Sequence, residues 1–303
     1  MKFVDNLWII LCFIYKHPMN SNNKFRAIGK FILWQIGMRL INKKVIVPWI
    51  DDSQFITARG ETGLTGNLYC GFMEFEDMGF ILHALRPEHK FIDVGANVGA
   101  YTILASSVVG AETIAFEPIP ETVVRLESQV KLNNIDDKVR IEKMGLGDKK
   151  GLLNFTNDLN TMNKVVHSGI NKDQITSVEV ITLDEYITDN NPIFLKIDVE
   201  GYEYKVIQGS KNVLSSNKVI ALIVELNNSG DEFGFSNEET HNLIMSMDFV
   251  PIAYDPILRK LTKLTSYNRN SGNTIYVKNL LKIELLCIGA EKRIVHTAFK
   301  NYI

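Results

Sequence analysis

Asp93-Val94-Gly95-Ala96-Asn97-Val98-Gly99 sets a carboxylate near the end of an apolar run and two glycines just before Ala100–Ala105, a stretch of helical pattern. A strand, a glycine turn and a helix start, in that order, let backbone N–H groups and a helix N-terminus face a ligand. Glycine there is expected to let the backbone approach the ligand where a Cβ would collide. The spacing is G-x-N-x-G, and Asn97 stands where the dinucleotide fingerprint G-x-G-x-x-G needs its second glycine. Asp93 repels a pyrophosphate but can hold an ammonium. Together these features favour S-adenosylmethionine over NAD as the expected cofactor.

Glu117 follows Gly95 by 22 positions, close to the ~20-residue interval at which an acid reaches a ribose hydroxyl. Alone, a strand-end acid is ordinarily solvated. Beside Asp93, Gly95 and Gly99 at this interval, it reads as the ribose acceptor, with Ile119 against the adenine face. The second cluster is Leu195-Lys196-Ile197-Asp198-Val199-Glu200-Gly201-Tyr202-Glu203. Asp198 ends a predicted central strand, where open α/β sheets hold their ligands. Lys196 projects to the same side of that strand. A buried lysine needs a partner, and Glu225, ending the next strand, is the one expected. Asp198 and Glu200 could instead cap and charge-complement the following helix. That reading is preferred for Glu203, and catalysis is preferred for Asp198. Since a neutral hydroxyl is a poor nucleophile, Asp198 is expected to be its base or to orient it, with Lys196 and Glu225 fixing its charge state. Glu225-Leu226-Asn227-Asn228-Ser229-Gly230 opens a polar edge for the acceptor. Asn163 and His167 could swing over the pocket, although an isolated loop histidine is usually just solvated. Asp198 and Glu200 are oxygen ligands that would suit magnesium, but no dedicated cage is present and no metal is expected.

The elements that must position these residues alternate apolar runs with amphipathic stretches, as in a parallel sheet covered by helices on both faces. Strands are predicted at 90–94, 112–116, 139–143, 193–198, 219–225, 249–254 and 273–277, and helices at about 98–108, 121–133, 201–215 and 237–247. Thr182-Leu183-Asp184-Glu185 has the pattern of a capping box, so a short helix should start there. An insertion at about 145–180 reads as a hairpin of 152–156 with 177–181, and 157–172 as a loop between them.

The chain has 303 residues, 46% of them hydrophobic and 22% charged, an ordinary globular composition. A net charge of −2 gives no general attraction to nucleic acid. Cys12, Cys70 and Cys287 have no metal spacing and suggest a reducing, cytoplasmic location. Residues 1–44 hold eight Lys or Arg against Asp5 alone, around the apolar runs Leu7–Tyr15 and Phe31–Ile41. Neither run reaches the ~20 apolar residues of a membrane span. A secretory signal is a weak alternative for the first run, because no small-residue cleavage site is evident before His17-Pro18. Packing on the catalytic domain or on a second subunit is preferred to peripheral membrane contact. Trp8 and Trp34 would suit a homodimer contact.

D-V-G-A-N-V-G at 93–99, F-E-P-I at 116–119, L-K-I-D-V-E-G-Y-E at 195–203 and V-E-L-N at 224–227 together resemble the FkbM family of S-adenosylmethionine-dependent methyltransferases. The likeness runs from about 56 to 280 and includes Gly63–Tyr69, Glu74-Phe75-Glu76 and Gly272–Tyr276. It implies a Rossmann-like class I methyltransferase fold: a seven-stranded, mostly parallel α/β sheet with its last strand antiparallel, here with an N-terminal helical extension. The implied layout is an extension at 1–50, a lead-in at 51–89, the methyltransferase domain at 90–280 and a tail at 281–303. By the resemblance, Asp93, Gly95, Asn97, Gly99 and Glu117 match the cofactor site, and Lys196, Asp198, Glu200 and Glu225 match the reaction end. The implied activity is O-methylation of a saccharide, glycolipid or natural product. The rivals are an RNA methyltransferase, a non-catalytic membrane-associated protein retaining the fold, and, weakest, an NAD-dependent oxidoreductase. No nucleic-acid partner is expected, because the positive excess is confined to the N-terminal segment and no RNA-binding module is apparent.

Overall fold

The computed structural model describes residues 2–41, 43–58, 62–156, 165, 175–188, 190–298 and 300–303. The central sheet is built from β1 (Lys90–Val94), β2 (Glu112–Phe116), β3 (Val139–Glu142), β4 (Ile193–Ile197), β5 (Val219–Glu225), β6 (Val250–Asp255), β7 (Lys260–Lys263) and β8 (Asn273–Val277). Its order is β7-β6-β8-β5-β4-β1-β2-β3. Strands β1 to β5 pair in parallel, while β8 runs antiparallel to both β5 and β6. The order reverses between β1 and β4, so the tips of these two strands face the crevice where such sheets bind ligands. The expected seven strands become eight among the described residues. Lys260–Lys263 adds a hairpin strand to β6, and its exposed, charged residues gave no apolar alternation to announce it.

Every residue of β1, β4 and β8 is buried, because both sheet faces are covered; such strands read as near-continuous apolar runs. On one face, Phe91 and Phe194 pack with Phe80, Tyr101 and Leu104; on the other, Ile92 and Leu195 pack with Val206, Leu214 and Ile244. Register sets Asp93 beside Lys196 of β4 and Ala115 of β2. Partners in register share a face, so the carboxylate and the ammonium lie on one side of the sheet.

The expected helix at 98–108 is an α-helical turn, Ala100–Ile103, running into a π-helical stretch, Leu104–Val109, that stops at left-handed Gly110. The single helix expected over 201–215 is two, Glu203–Gln208 and Lys211–Ser215. Gly209 lies so close to the Gly147 carbonyl that a Cβ would sit 1.9 Å from it. The second helix restarts because Asp184 caps it from outside, accepting from the amides of Asn212 (3.0 Å) and Val213 (2.8 Å). Helices Pro120–Leu132 and Asn237–Met245 stand within two residues of expectation. Thr182 Oγ1 accepts from Glu185 N at 3.2 Å and starts the short helix Leu183–Tyr186. The insertion forms a small sheet in which Gly151–Thr156 pairs antiparallel with Ile175–Ile181, and Gly145–Leu146 adds in parallel. Asn163 and His167 lie outside the described residues.

Ahead of the sheet, α1 (Lys2–Lys16) and α2 (Lys24–Ile41) form a hairpin. It packs on α3 (Thr62–Cys70) through Ile14, Ala27, Phe31, Leu68 and Tyr69. Helix α4 (Phe75–Ala84) then brings Glu74 and Asp77 to the carboxyl edge of the sheet. No described helix is long and apolar enough to cross a membrane.

Candidate active site

At the tip of β1, Asp93 is 1% exposed. Thr102 Oγ1 donates to its Oδ2 at 2.7 Å, and its buried Oδ1 has no hydrogen-bond partner among the described residues. Burial raises its pKa, opposed by the Lys196 ammonium and the Thr102 hydrogen bond. The following turn is left-handed at Gly95 (φ +78°), Asn97 (φ +50°) and Gly99 (φ +92°). A Cβ on Gly95 would sit 1.8 Å from the Asp198 carbonyl oxygen, and one on Gly99 would sit 2.5 Å from Leu126 Cδ1. Neighbouring protein by itself requires both glycines: the β1 turn is pressed against the β4 turn at Gly95 and against helix Pro120–Leu132 at Gly99.

The β1 turn is tied to the end of β2 by Gly95 N and Ala96 N, which both donate to the Phe116 carbonyl at 3.0 Å. Glu117 completes the tie, because Asn97 N donates to its Oε2 (2.9 Å) and Ile119 N to its Oε1 (3.0 Å). Burial still pushes Glu117 up to about 7, against the pull of those two amides. Its carboxyl is thereby fixed in orientation, with lone pairs to spare for ribose hydroxyls. Glu117, Ile119 and Phe155 line a cleft of about 80 Å³ with Gly95, Asn97, Asp198 and Glu200. The sequence reading named all of these except Phe155, which lies on the satellite sheet.

At the tip of β4, Glu203 stands in the first turn of the next helix, where an acid complements the helix charge. Its Oε1, however, accepts from Val199 N (2.9 Å) and Gly201 N (3.1 Å) and so holds the turn ahead of that helix instead of capping it. Glu200 (φ +53°) and Gly201 (φ +105°) are left-handed, so the chain doubles back and leaves Asp198 and Glu200 lining the cleft.

Lys196 does not pair with Glu225. Its Nζ donates to Asp198 Oδ2 at 2.7 Å and lies 4.7 Å from the centre of the Tyr101 ring. The reason is that the strand ends at Ile197 and the turn returns Asp198 over its own lysine. Burial disfavours the ammonium, yet Asp198, Glu74 and Asp93 raise its pKa above the ordinary lysine value. The network extends outward, since the Tyr101 hydroxyl donates to the Glu74 carboxylate. Glu225 stands apart. Its buried Oε2 has no partner among the described residues, and burial, with Asp198, Glu203 and Glu200 nearby, pushes it up to about 10.

Glu225 faces a second cavity, of about 550 Å³, lined also by Glu74, Asp77, Asn273, Phe13 and His17. Asp77 accepts from Asn273 Nδ2 at 3.0 Å and is pushed up to about 8 by burial and by Glu74. Sequence reasoning missed Asp77, Tyr101 and the role of Glu74. Acids at a helix start read as favourable partners of the helix dipole, and only the tertiary fold sets them opposite Glu225.

The family model described as Methyltransferase FkbM domain matches residues 93–251, which span all four strand tips of this site. The chain belongs to the FkbM methyltransferase family. Residues 93–251 are accordingly an S-adenosylmethionine-dependent methyltransferase domain. The hexuronic acid methyltransferase AglP of Haloferax volcanii is 30% identical over 152 residues, 48% of this chain and 59% of that protein. The chain thus spans about three-fifths of the length of the curated relative it matches. Among solved structures, Pyrococcus horikoshii TYW2 in complex with MeSAdo is 12% identical, with a TM-score of 0.41, covering 87% of this chain and 86% of that one. An rRNA methylase from Streptococcus thermophilus is 12% identical, with a TM-score of 0.36, covering 66% and 91%. Both likenesses are distant, and the strand order itself defines the fold.

Glu117, oriented at the tip of β2 and lining the cleft, has the chemistry to accept from a ribose of the family's donor. Asp93 has the charge for its ammonium and a buried oxygen without a hydrogen-bond partner among the described residues, but it does not itself line the cleft.

Proposed function

We propose that this chain methylates a hydroxyl of a saccharide, glycolipid or natural-product acceptor, in a reducing, cytoplasmic compartment where its three cysteines stay as thiols. The observation that carries the reading is the placement of Asp198. It lines the donor cleft and is ion-paired to Lys196, whose other neighbours, Tyr101 and Glu74, lead to the larger cavity. That cavity sets carboxyl groups, Asn270, Ser271 and Asn273 beside Phe13, Met73 and Phe75, a set that offers hydrogen bonds to hydroxyl groups and apolar faces to the ring that carries them. The AglP relative, by its name a hexuronic acid methyltransferase, supports a sugar-like acceptor.

S-adenosylmethionine supplies a methyl group already activated on a sulfonium. What the chain must add is alignment and a place for one proton. Lys196 fixes the orientation of Asp198. The acceptor hydroxyl would donate to Asp198, which would take its proton as the methyl–sulfur bond breaks, the methyl–oxygen bond forms and neutral S-adenosylhomocysteine is left. Glu225, holding its proton at neutral pH, donates to another acceptor oxygen.

Asp198→Asn is expected to lower kcat by about 10²–10⁴-fold while donor affinity stays within a few fold. Parallel loss of donor affinity would make Asp198 structural. The acceptor class is read by mass spectrometry of a saccharide extract treated with enzyme and donor. S-adenosylhomocysteine released without a methylated saccharide would rule that class out.

A further inference from the structure

Helix α2 is apolar on both of its sides. Ala27, Phe31 and Met38 point into the molecule, while Ile32 (48%), Leu33 (72%), Ile36 (52%) and Leu40 (81%) are exposed. Helix α1 adds Trp8 at 68% and Ile9 at 63%. A helix that is hydrophobic all round is ordinarily buried, and apolar patches of this kind mark interaction surfaces.

Charge identifies what covers this one. Residues 1–44 carry eight of the chain's 33 Lys and Arg but one of its 35 Asp and Glu. Lys16, Arg26, Arg39, Lys43 and Lys44 are exposed around the apolar side chains. A second copy docking through the same patch would set two such basic segments against each other, since an isologous contact pairs each surface with itself. A bilayer surface rich in anionic lipid satisfies both features. Apolar side chains enter the headgroup–acyl boundary, basic ones meet lipid phosphates and carboxylates, and Trp8 suits the interface. An open groove of about 690 Å³ along α2 has the matching composition, with Leu33, Trp34, Val45 and Val47 beside Arg26.

We propose that the α1–α2 hairpin docks this chain on an anionic membrane surface without crossing the bilayer. The proposal does not rest on the reading of the active site, although the end of α1 also lends Phe13 and Lys16 to the larger cavity, and its test needs no methyl transfer. The test is co-sedimentation of the full chain with vesicles of phosphatidylcholine alone or mixed with phosphatidylserine, at low and high salt. Partitioning is expected to be at least about tenfold stronger on the mixed vesicles and to weaken with salt. Leu33→Glu with Leu40→Glu, at exposed positions, should cut it about tenfold or more with the melting temperature unchanged. Lys43→Glu with Lys44→Glu should weaken binding about tenfold on the mixed vesicles only. Absence of wild-type binding to the mixed vesicles, or equal binding by the folded Leu33→Glu/Leu40→Glu variant, would overturn the proposal. So would a stable dimer in solution that the same variant splits.

Discussion

Two regions of this molecule place side chains against their ordinary preference, in opposite directions. At the carboxyl edge of the sheet, Asp93, Glu117, Glu203 and Glu225 are carboxyl groups held where burial raises their pKa. On the α1–α2 hairpin, Trp8, Leu33 and Leu40 are large apolar groups standing in water. A buried polar group and an exposed apolar patch are the informative departures from the usual pattern. Each costs the isolated fold stability, and each is relieved by a different partner: the edge by a polar, partly cationic ligand, the hairpin by an apolar, anionic surface. The edge is also rigidly specified, since its turns interlock at Gly95 and Gly201. The hairpin has slack, and Gly29 and Gly37 have nothing within 4 Å of where a Cβ would point.

The sharpest way to break this contrast is substitution of glycine. Gly95→Ala adds a Cβ 1.8 Å from the Asp198 carbonyl at φ +78°, and is expected to cost about 3 kcal/mol or more, read as a lowered urea midpoint. A loss under 1 kcal/mol would mean that the two turns are not locked together. Glu225 comes next. Its folded pKa of about 10 lies above its ordinary value, so the folded state keeps a proton that the unfolded chain releases. Its stabilising effect is complete below about pH 4.5 and is lost as pH rises toward 10. Glu225→Gln should therefore raise the melting temperature near pH 8 by about 2–4 °C for each kcal/mol recovered and leave it unchanged near pH 4. An unchanged melting temperature at both pH values would place Glu225 in an ordinary solvated setting. The smallest effect belongs to the hairpin, where Gly37→Ala in helical, open surroundings should add roughly 0.5–1 kcal/mol; destabilisation would show that its outer face is already packed.

The sequence was most legible where local pattern and tertiary role agree. Strands β1, β2, β5 and β8 begin and end where their apolar runs do, and Asp93, Glu117 and Asp198 stand at the strand ends where charge and glycine marked them. It misled where the neighbour, and not the residue, had to be known. Gly95 must lack a Cβ for the Asp198 carbonyl, a neighbour that its own stretch of sequence does not reveal. Lys196 needs an acid on its own side of the strand, and strand parity offered Glu225, whereas a turn two residues later supplies Asp198. Asp77 went unnamed, because nothing within α4 shows that Asn273 and Glu225 will face it. Strand β7, Lys260-Leu261-Thr262-Lys263, escaped because a four-residue edge strand with one half-buried residue, Leu261, carries little burial signal.

The central claim is that the tips of β1 and β2 hold the amino and ribose groups of the methyl donor. Titration calorimetry of the whole protein with S-adenosylhomocysteine tests it most directly. Saturable binding is predicted for the wild type, weakened about tenfold or more by Glu117→Ala, which removes a charged acceptor of ribose hydrogen bonds, and likewise by Asp93→Asn. No uptake by folded wild-type protein, or equal affinity in both variants, would contradict it.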